Sequence, residues 1–174
     1  YTEANLLPAN HKINIEYDHF LTLFGEEGNL IILATNDSTI FTPKKFNDWN
    51  NLSKKLDSFS EIDFTIAVGD IKKLIKNTED QEFDLEPLYD KTPETAEEVL
   101  KIKTDLFENL PFFDNILFNK KTGTLRTVVY LKKDIVNTAA RKDFIFNVLN
   151  PMIAQFEKEN NIDIRVSGMP YIRT

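Results

Sequence analysis

The sequence predicts an α+β fold of the ferredoxin-like kind, a split strand-helix-strand sandwich with an antiparallel or mixed sheet. Three observations lead there. A strand, a helix and an alternating strand succeed one another between residues 29 and 68. A second strand-helix-strand run occupies residues 124–166. Residues 70–123 fall between the two runs and read as a helical and hairpin insertion within a single domain spanning 1–174. Two such units bury their apolar sides together by pairing four strands and laying both helices on one face.

Each element has its own local reason. Ile13, Tyr17, Phe20, Leu21 and Phe24 form an apolar stripe that predicts a helix over about residues 12–24, stopped by Gly25. The run Leu30, Ile31, Ile32 and Leu33 lacks polar alternation, so 29–35 reads as a buried strand, turned by Asn36-Asp37-Ser38. Thr42-Pro43 marks a helix start: the hydroxyl is suited to cap free amides, and proline at the first helical position forfeits no internal bond. Phe46, Trp49, Leu52, Leu56 and Phe59 give that helix its inner side, to about Ser58. Ile62, Phe64, Ile66 and Val68 alternate as a strand, and Gly69-Asp70 leads into a short helix expected at 71–76.

Residues 77–92 are polar and acidic with few signs of regular structure. Thr92-Pro93 repeats the helix-start pattern, and Ala96, Val99, Leu100, Lys103, Leu106 or Phe107, and Leu110 face inward. Residues 114–118 and 124–131 read as a hairpin around Asn119-Lys120-Lys121-Thr122-Gly123, with Leu125, Thr127, Val129 and Leu131 on one side. A last helix is expected over about 138–159, on the stripe Ile145, Val148, Leu149, Met152, Ile153 and Phe156. Pro151 removes its bond to residue 147 and predicts a kink. Ile162, Ile164 and Val166 complete the sheet.

Composition narrows the function classes. Apolar residues make up 41% and charged residues 28%, as in an ordinary globular domain, and the 14 phenylalanines are expected to fill most of the core. The absence of cysteine excludes disulfides and thiolate chemistry. A formal charge of −7 opposes nonspecific attraction to nucleic acid, and no basic RNA-binding motif appears. The acid is local: residues 79–98 hold nine carboxylates against Lys91 alone, which leaves the remainder close to neutral.

No motif for chemistry is complete in the sequence. His11 and His19, the two histidines, would lie about 12 Å apart along a continuous helix and share no metal there. Asp80, Glu82, Asp84 and Glu86 invite a calcium loop, but its sixth position would be Leu85 and its twelfth Lys91. Ser38, Ser53, Ser58, Ser60 and Ser167 sit in no nucleophile elbow, and the five glycines form no phosphate-binding pattern. The expectation is therefore no enzyme, with no catalytic residue, no metal site and no cofactor. Pro8 and Pro170 read as stiffeners of extended segments near the two ends, and the opening Tyr1-Thr2-Glu3-Ala4 as the start of a piece cut from something larger.

Three stretches carry a resemblance. Leu6-Leu7-Pro8-Ala9-Asn10-His11, followed by Tyr-Asp-His-Phe-Leu-Thr-Leu-Phe-Gly at 17–25 and the strand at 30–34, resembles the region after the first membrane helix of resistance-nodulation-division (RND) exporters of the MmpL-like branch. Ser167-Gly168-Met169-Pro170-Tyr171-Ile172-Arg173-Thr174 resembles the approach to their second membrane helix. Asn115-Ile116-Leu117-Phe118-Asn119-Lys120-Lys121-Thr122-Gly123, with Val128-Val129-Tyr130-Leu131, is similar to the hairpin before their second strand-helix-strand unit.

The resemblance implies the first extracytoplasmic, porter-type domain of a proton-driven transport protein, on the periplasmic side of a bacterial cytoplasmic membrane. Its partners would be the membrane helices of its own full-length chain, a second extracytoplasmic domain, and hydrophobic or amphiphilic cargo such as lipid. The family's proton-coupling residues lie in membrane helices and transfer to no position here. Phe112 and Phe113, in the insertion, become the expected cargo contacts. A free-standing ligand-binding or assembly module is the alternative, separated by whether bilayer-length apolar segments flank the domain.

Overall fold

Alternation along Leu30–Thr35 (β1) sends Ile31, Leu33 and Thr35 to one side of the chain, and all three are buried. Thr124–Leu131 (β6) does the same with Leu125, Thr127, Val129 and Leu131. The two strands pair antiparallel from Leu30↔Tyr130 to Thr35↔Leu125, so the buried residues share one face. This pairing is the middle of the sheet in a computed structural model that describes residues 28–77 and 82–174. The helix expected over 12–24, both histidines and Pro8 lie outside the described residues.

Ile62–Ile66 (β2) adds to the free side of β6, and Arg165–Ser167 (β7) to the free side of β1. The order β2-β6-β1-β7, antiparallel throughout, is that of a ferredoxin-like sandwich. Phe118–Asn119 (β5) pairs with the first residues of β6, where β2 does not reach. A shift of register between Ile62 and Phe64 bulges β2.

Pro43–Asp57 (α1) lays Phe46, Trp49, Leu52 and Leu56 on the buried sheet face. Thr42 precedes it as expected, yet its hydroxyl donates to the Thr39 carbonyl, 2.9 Å away, and caps no amide. The second helix of the same layer is Ala139–Phe144 (α3) and Asn150–Asn160 (α4), joined by a π turn at Ile145–Leu149. Pro151 explains that turn: it has no N–H and its ring crowds the carbonyl four residues back. The Asn150 amide instead reaches the Ile145 carbonyl, five residues back, so the expected kink takes the form of a widened turn.

Trp49 meets Phe156 edge to face at 5.8 Å, which ties α1 to α4. Beneath them Ser53 and Thr127 share a hydroxyl hydrogen bond of 2.8 Å, fully buried, so the only polar side chain on the inner face of β6 is satisfied. The opposite face carries Leu30, Ile32, Ile66 and Val128, with Phe64 stacked on Tyr130 at 4.3 Å.

The insertion departs from its expected form. Lys72–Asn77 (β3) and Glu82–Pro87 (β4) form an antiparallel hairpin, where a short helix followed by irregular chain was expected. Register explains the correction: Leu74 faces Leu85 and Lys73 faces Glu86, pairings that no helix at 71–76 could make. Ala96–Thr104 (α2) starts later than Thr92-Pro93 suggested. Thr95 caps it, accepting from the Glu98 amide at 3.2 Å, while the Glu98 carboxylate accepts from the Thr95 amide at 3.0 Å. Its inner residues are Val99, Ile102 and then Leu106, whereas Leu100 is 61% exposed.

Chain direction places the insertion. β1 starts, and β7 ends, at one end of the sheet, with Ser167 facing Ile32. β2 ends and β6 starts at the other, so residues 70–123 hang from the end remote from Leu30 and Ser167.

Pro170, expected in an extended segment, lies buried in the short helix Met169–Ile172 (α5). Gly168 makes that turn possible at φ +121, where an added Cβ would stand 2.1 Å from the Leu30 carbonyl. Gly168→Ala should cost about 3 kcal/mol. Gly123→Ala, at φ +67 in open space, should cost about 1 kcal/mol. Urea unfolding of the two variants checks the difference.

Candidate functional site

The expected cargo contacts sit where α2 runs out. Asp105–Asn109 continue it as one π turn, Leu106 is fully buried beneath, and Pro111 then prevents further helix. Pro111–Phe113 form a single 3-10 turn. The chain is steadied from both sides: Phe107 stacks on Phe118 at 5.1 Å and meets Phe41 edge to face at 5.6 Å. The Arg126 guanidinium donates to the Asn115 carbonyl, and Lys120 pairs with Glu108.

Phe112 and Phe113 come together but do different work. Their rings meet at 5.2 Å and 89°, edge to face. Phe113 packs against the core, whereas Phe112 is 77% exposed. Ile116, 48% exposed, follows in the same loop. Phe113 is thus an anchor that holds Phe112 up to solvent, and burying that ring against a partner is the apolar gain the knuckle offers.

Between α2 and the β3–β4 hairpin lies a cleft of about 340 Å³ that the sequence did not disclose. One wall is α2, through Glu98, Lys101 and Asp105; the other is the hairpin, through Lys73 and Glu86. Lys73 bridges the walls to Asp105 at 3.2 Å. Buried Leu88 and Ile102 line it below. The spacing of Glu98, Lys101 and Asp105 on one helix face was readable, but the opposite wall needed the hairpin to be recognised.

Tyr89 closes the base of the insertion. Its ring meets Phe46 edge to face at 6.0 Å, and its hydroxyl stands over Gly69 beside the Asn50 side chain. The Asn50 oxygen has no partner of good hydrogen-bond geometry, yet the amide is near enough to oppose the rise in phenol pKa. Burial raises that pKa above its ordinary 10.0, and the negative charge of Asp70 raises it further. On α2 the Glu98 carboxyl is held below its ordinary range by the Glu94 and Thr95 amides.

Among the described residues no three His, Asp or Glu side chains converge to hold a metal ion, and no helix is long and apolar enough to cross a membrane. The geometry defines a ferredoxin-like α+β domain bearing an exposed aromatic knuckle on an insertion remote from β1's start. A scan against protein-family models, and searches of curated proteins and of solved structures, found no match.

Two outcomes test this arrangement. Phe112→Ala should leave the urea midpoint within about 0.5 kcal/mol of the parent, whereas Phe113→Ala should cost about 2 kcal/mol. The neutral Tyr89 phenol contributes stability that is fully present below pH 10.0 and is lost as pH rises through the higher folded-state value. Tyr89→Phe should therefore lose less stability than the parent between neutral pH and the region above pH 10.0, compared by urea unfolding.

Proposed function

We propose that this chain is the first extracytoplasmic, porter-type domain of a proton-driven RND-type exporter of the MmpL-like branch, helping to admit or route hydrophobic or amphiphilic cargo. The observation that carries the reading is the placement of the two ends of the sheet. The chain arrives at β1 and departs from β7 side by side, while the insertion with Phe112 hangs from the opposite end. A domain tethered to a bilayer through both segments would stand with its knuckle held away from the membrane. There Phe112 would meet cargo or a second extracytoplasmic domain.

The ferredoxin-like sandwich is compatible with this role and does not by itself select it. Further support comes from the resemblance at Leu6–His11 and 167–174, and from the exposed ring of Phe112. No catalytic step is assigned: the domain contributes shape, an apolar contact and rigid-body movement driven from the membrane helices of the same chain.

Expressed from its native gene, the protein should remain in the bacterial membrane fraction after alkaline carbonate washing. The domain should be open to protease only from the periplasmic side. Release by carbonate would defeat the reading and favour a free-standing module. A photoreactive phenylalanine analogue at Phe112 in the full-length protein should crosslink amphiphile, and the same analogue at exposed Phe146 should not.

A further inference from the structure

A hollow of about 70 Å³ opens between α1, the later part of β2 and the turn at Gly69-Asp70. Asn50, Ser53, Lys54 and Asp57 reach it from α1, at the spacing of a single helix face. Asn50 is only 6% exposed, yet its side-chain oxygen has no hydrogen-bond partner. The orientation of that amide is fixed: its nitrogen donates to the Phe46 carbonyl one turn back, at 3.0 Å, which leaves the oxygen for the hollow.

The donors around this oxygen are already committed. Ser53 donates to the Trp49 carbonyl at 3.1 Å and shares its other bond with Thr127. The Thr65 amide donates to Asp57 at 2.8 Å, and the Ala67 amide to Asp70 at 2.9 Å. The Tyr89 hydroxyl is near but lacks the geometry. Gly69 keeps the oxygen within reach, because a Cβ there would stand 3.2 Å from it and 3.1 Å from the Tyr89 hydroxyl. Gly69 is not among the glycines with positive φ, so what this position supplies is space.

The hollow therefore presents acceptors: one buried neutral oxygen, the carboxylates of Asp57 and Asp70, and Lys54 as the one cation among its lining residues. Calcium takes six to eight oxygens, more than this set supplies. An ammonium group carries N–H donors that match such acceptors, and about 70 Å³ is roughly twice a water's share of the liquid, room for that group and a short stub of carbon. We infer that the hollow binds the primary ammonium of a small amine, whose N–H groups donate to the Asn50 oxygen and the Asp70 carboxylate while its tail points to solvent. Binding supplies the donor that Asn50 lacks. Asp57, two turns from Asn50 and about 10 Å along α1, acts through its charge, and Lys54 opposes it. The inference goes beyond the exporter reading and does not rest on it, since none of these residues lies in the Phe112 knuckle or near the chain ends.

The probe is methylammonium chloride, titrated into the 174-residue chain and followed by NMR. The Asn50 side-chain NH2 and the Gly69 and Asp70 amide resonances should shift to saturation, with a Kd on the order of 10 mM for so small a ligand. Sodium chloride at equal ionic strength and tetramethylammonium chloride, which has no N–H, should give no saturable shift. Gly69→Ala should weaken binding at least about tenfold by filling the space. Asp70→Asn should weaken it about threefold and Lys54→Met strengthen it about threefold; both positions are exposed, so these two variants carry the test if Gly69→Ala does not fold. Equal shifts with sodium or tetramethylammonium, an affinity unchanged in both exposed variants, or no response at the three groups would each overturn the inference. Membrane anchoring is read by carbonate washing and is untouched by any of these results, so the two proposals fail separately.

Discussion

Everything else in the fold depends on the ladder between β1 and β6. Six consecutive pairs, from Leu30↔Tyr130 to Thr35↔Leu125, join the first strand-helix-strand unit to the second. Side chains alternate with a period of two, so a slip of one residue would carry Ile31 and Leu33 out of the core and bring Leu30 and Ile32 in. Burial holds the observed register: Ile31, Leu33, Leu125, Thr127, Val129 and Leu131 are all fully enclosed by α1 and α4. Thr127 adds specificity, because its hydroxyl is matched only when β6 lies under Ser53.

That ladder also decides where function can reside. With β1 and β6 running opposite ways, the chain comes in and goes out at one end, and any insertion between β2 and β6 must hang from the other. The insertion is therefore free to vary without disturbing the sheet, and it concentrates exposed apolar groups: Leu74, Leu85, Leu100, Phe112 and Ile116. Its attachments are few and specific. Tyr89 on Phe46, Phe107 against Phe41 and Phe118, and the buried residues Ile71 and Leu88 bind it to the body. Lys103 crosses the Phe41 ring at 4.8 Å, which is why a lysine can lie on the side of α2 expected to face inward.

The misreadings in this region have local causes. Ile71, Leu74 and Ile75 sit at helical spacing, and the lysines between them are good helix formers, so residues 71–76 carry a helix pattern in isolation. The strand wins because Glu82–Pro87 offers a matching partner across a turn, five to fifteen residues later, a pairing that a count of helical spacing does not weigh. Thr95 and Glu98 formed a readable capping box, and Thr92-Pro93 drew the helix start three residues too early. Phe112 and Phe113 were both legible as aromatic, yet their division into presented ring and anchor follows from the turn that Pro111 imposes. The cleft beside α2 was invisible for the same reason as the hairpin that walls it.

By itself, the sequence determined the two strand-helix-strand units, the row Leu125, Thr127, Val129 and Leu131 on one side of β6, a break in the last helix at Pro151 and the absence of thiol chemistry. These are consequences of side-chain period and backbone chemistry within a few residues. Only the tertiary structure decided that residues 72–77 are a strand, that Leu100 faces water while Lys103 covers a ring, and that Phe113 supports Phe112. In each of these cases the deciding partner is distant in the chain or lies across a turn, and the local preference was too weak to outweigh it.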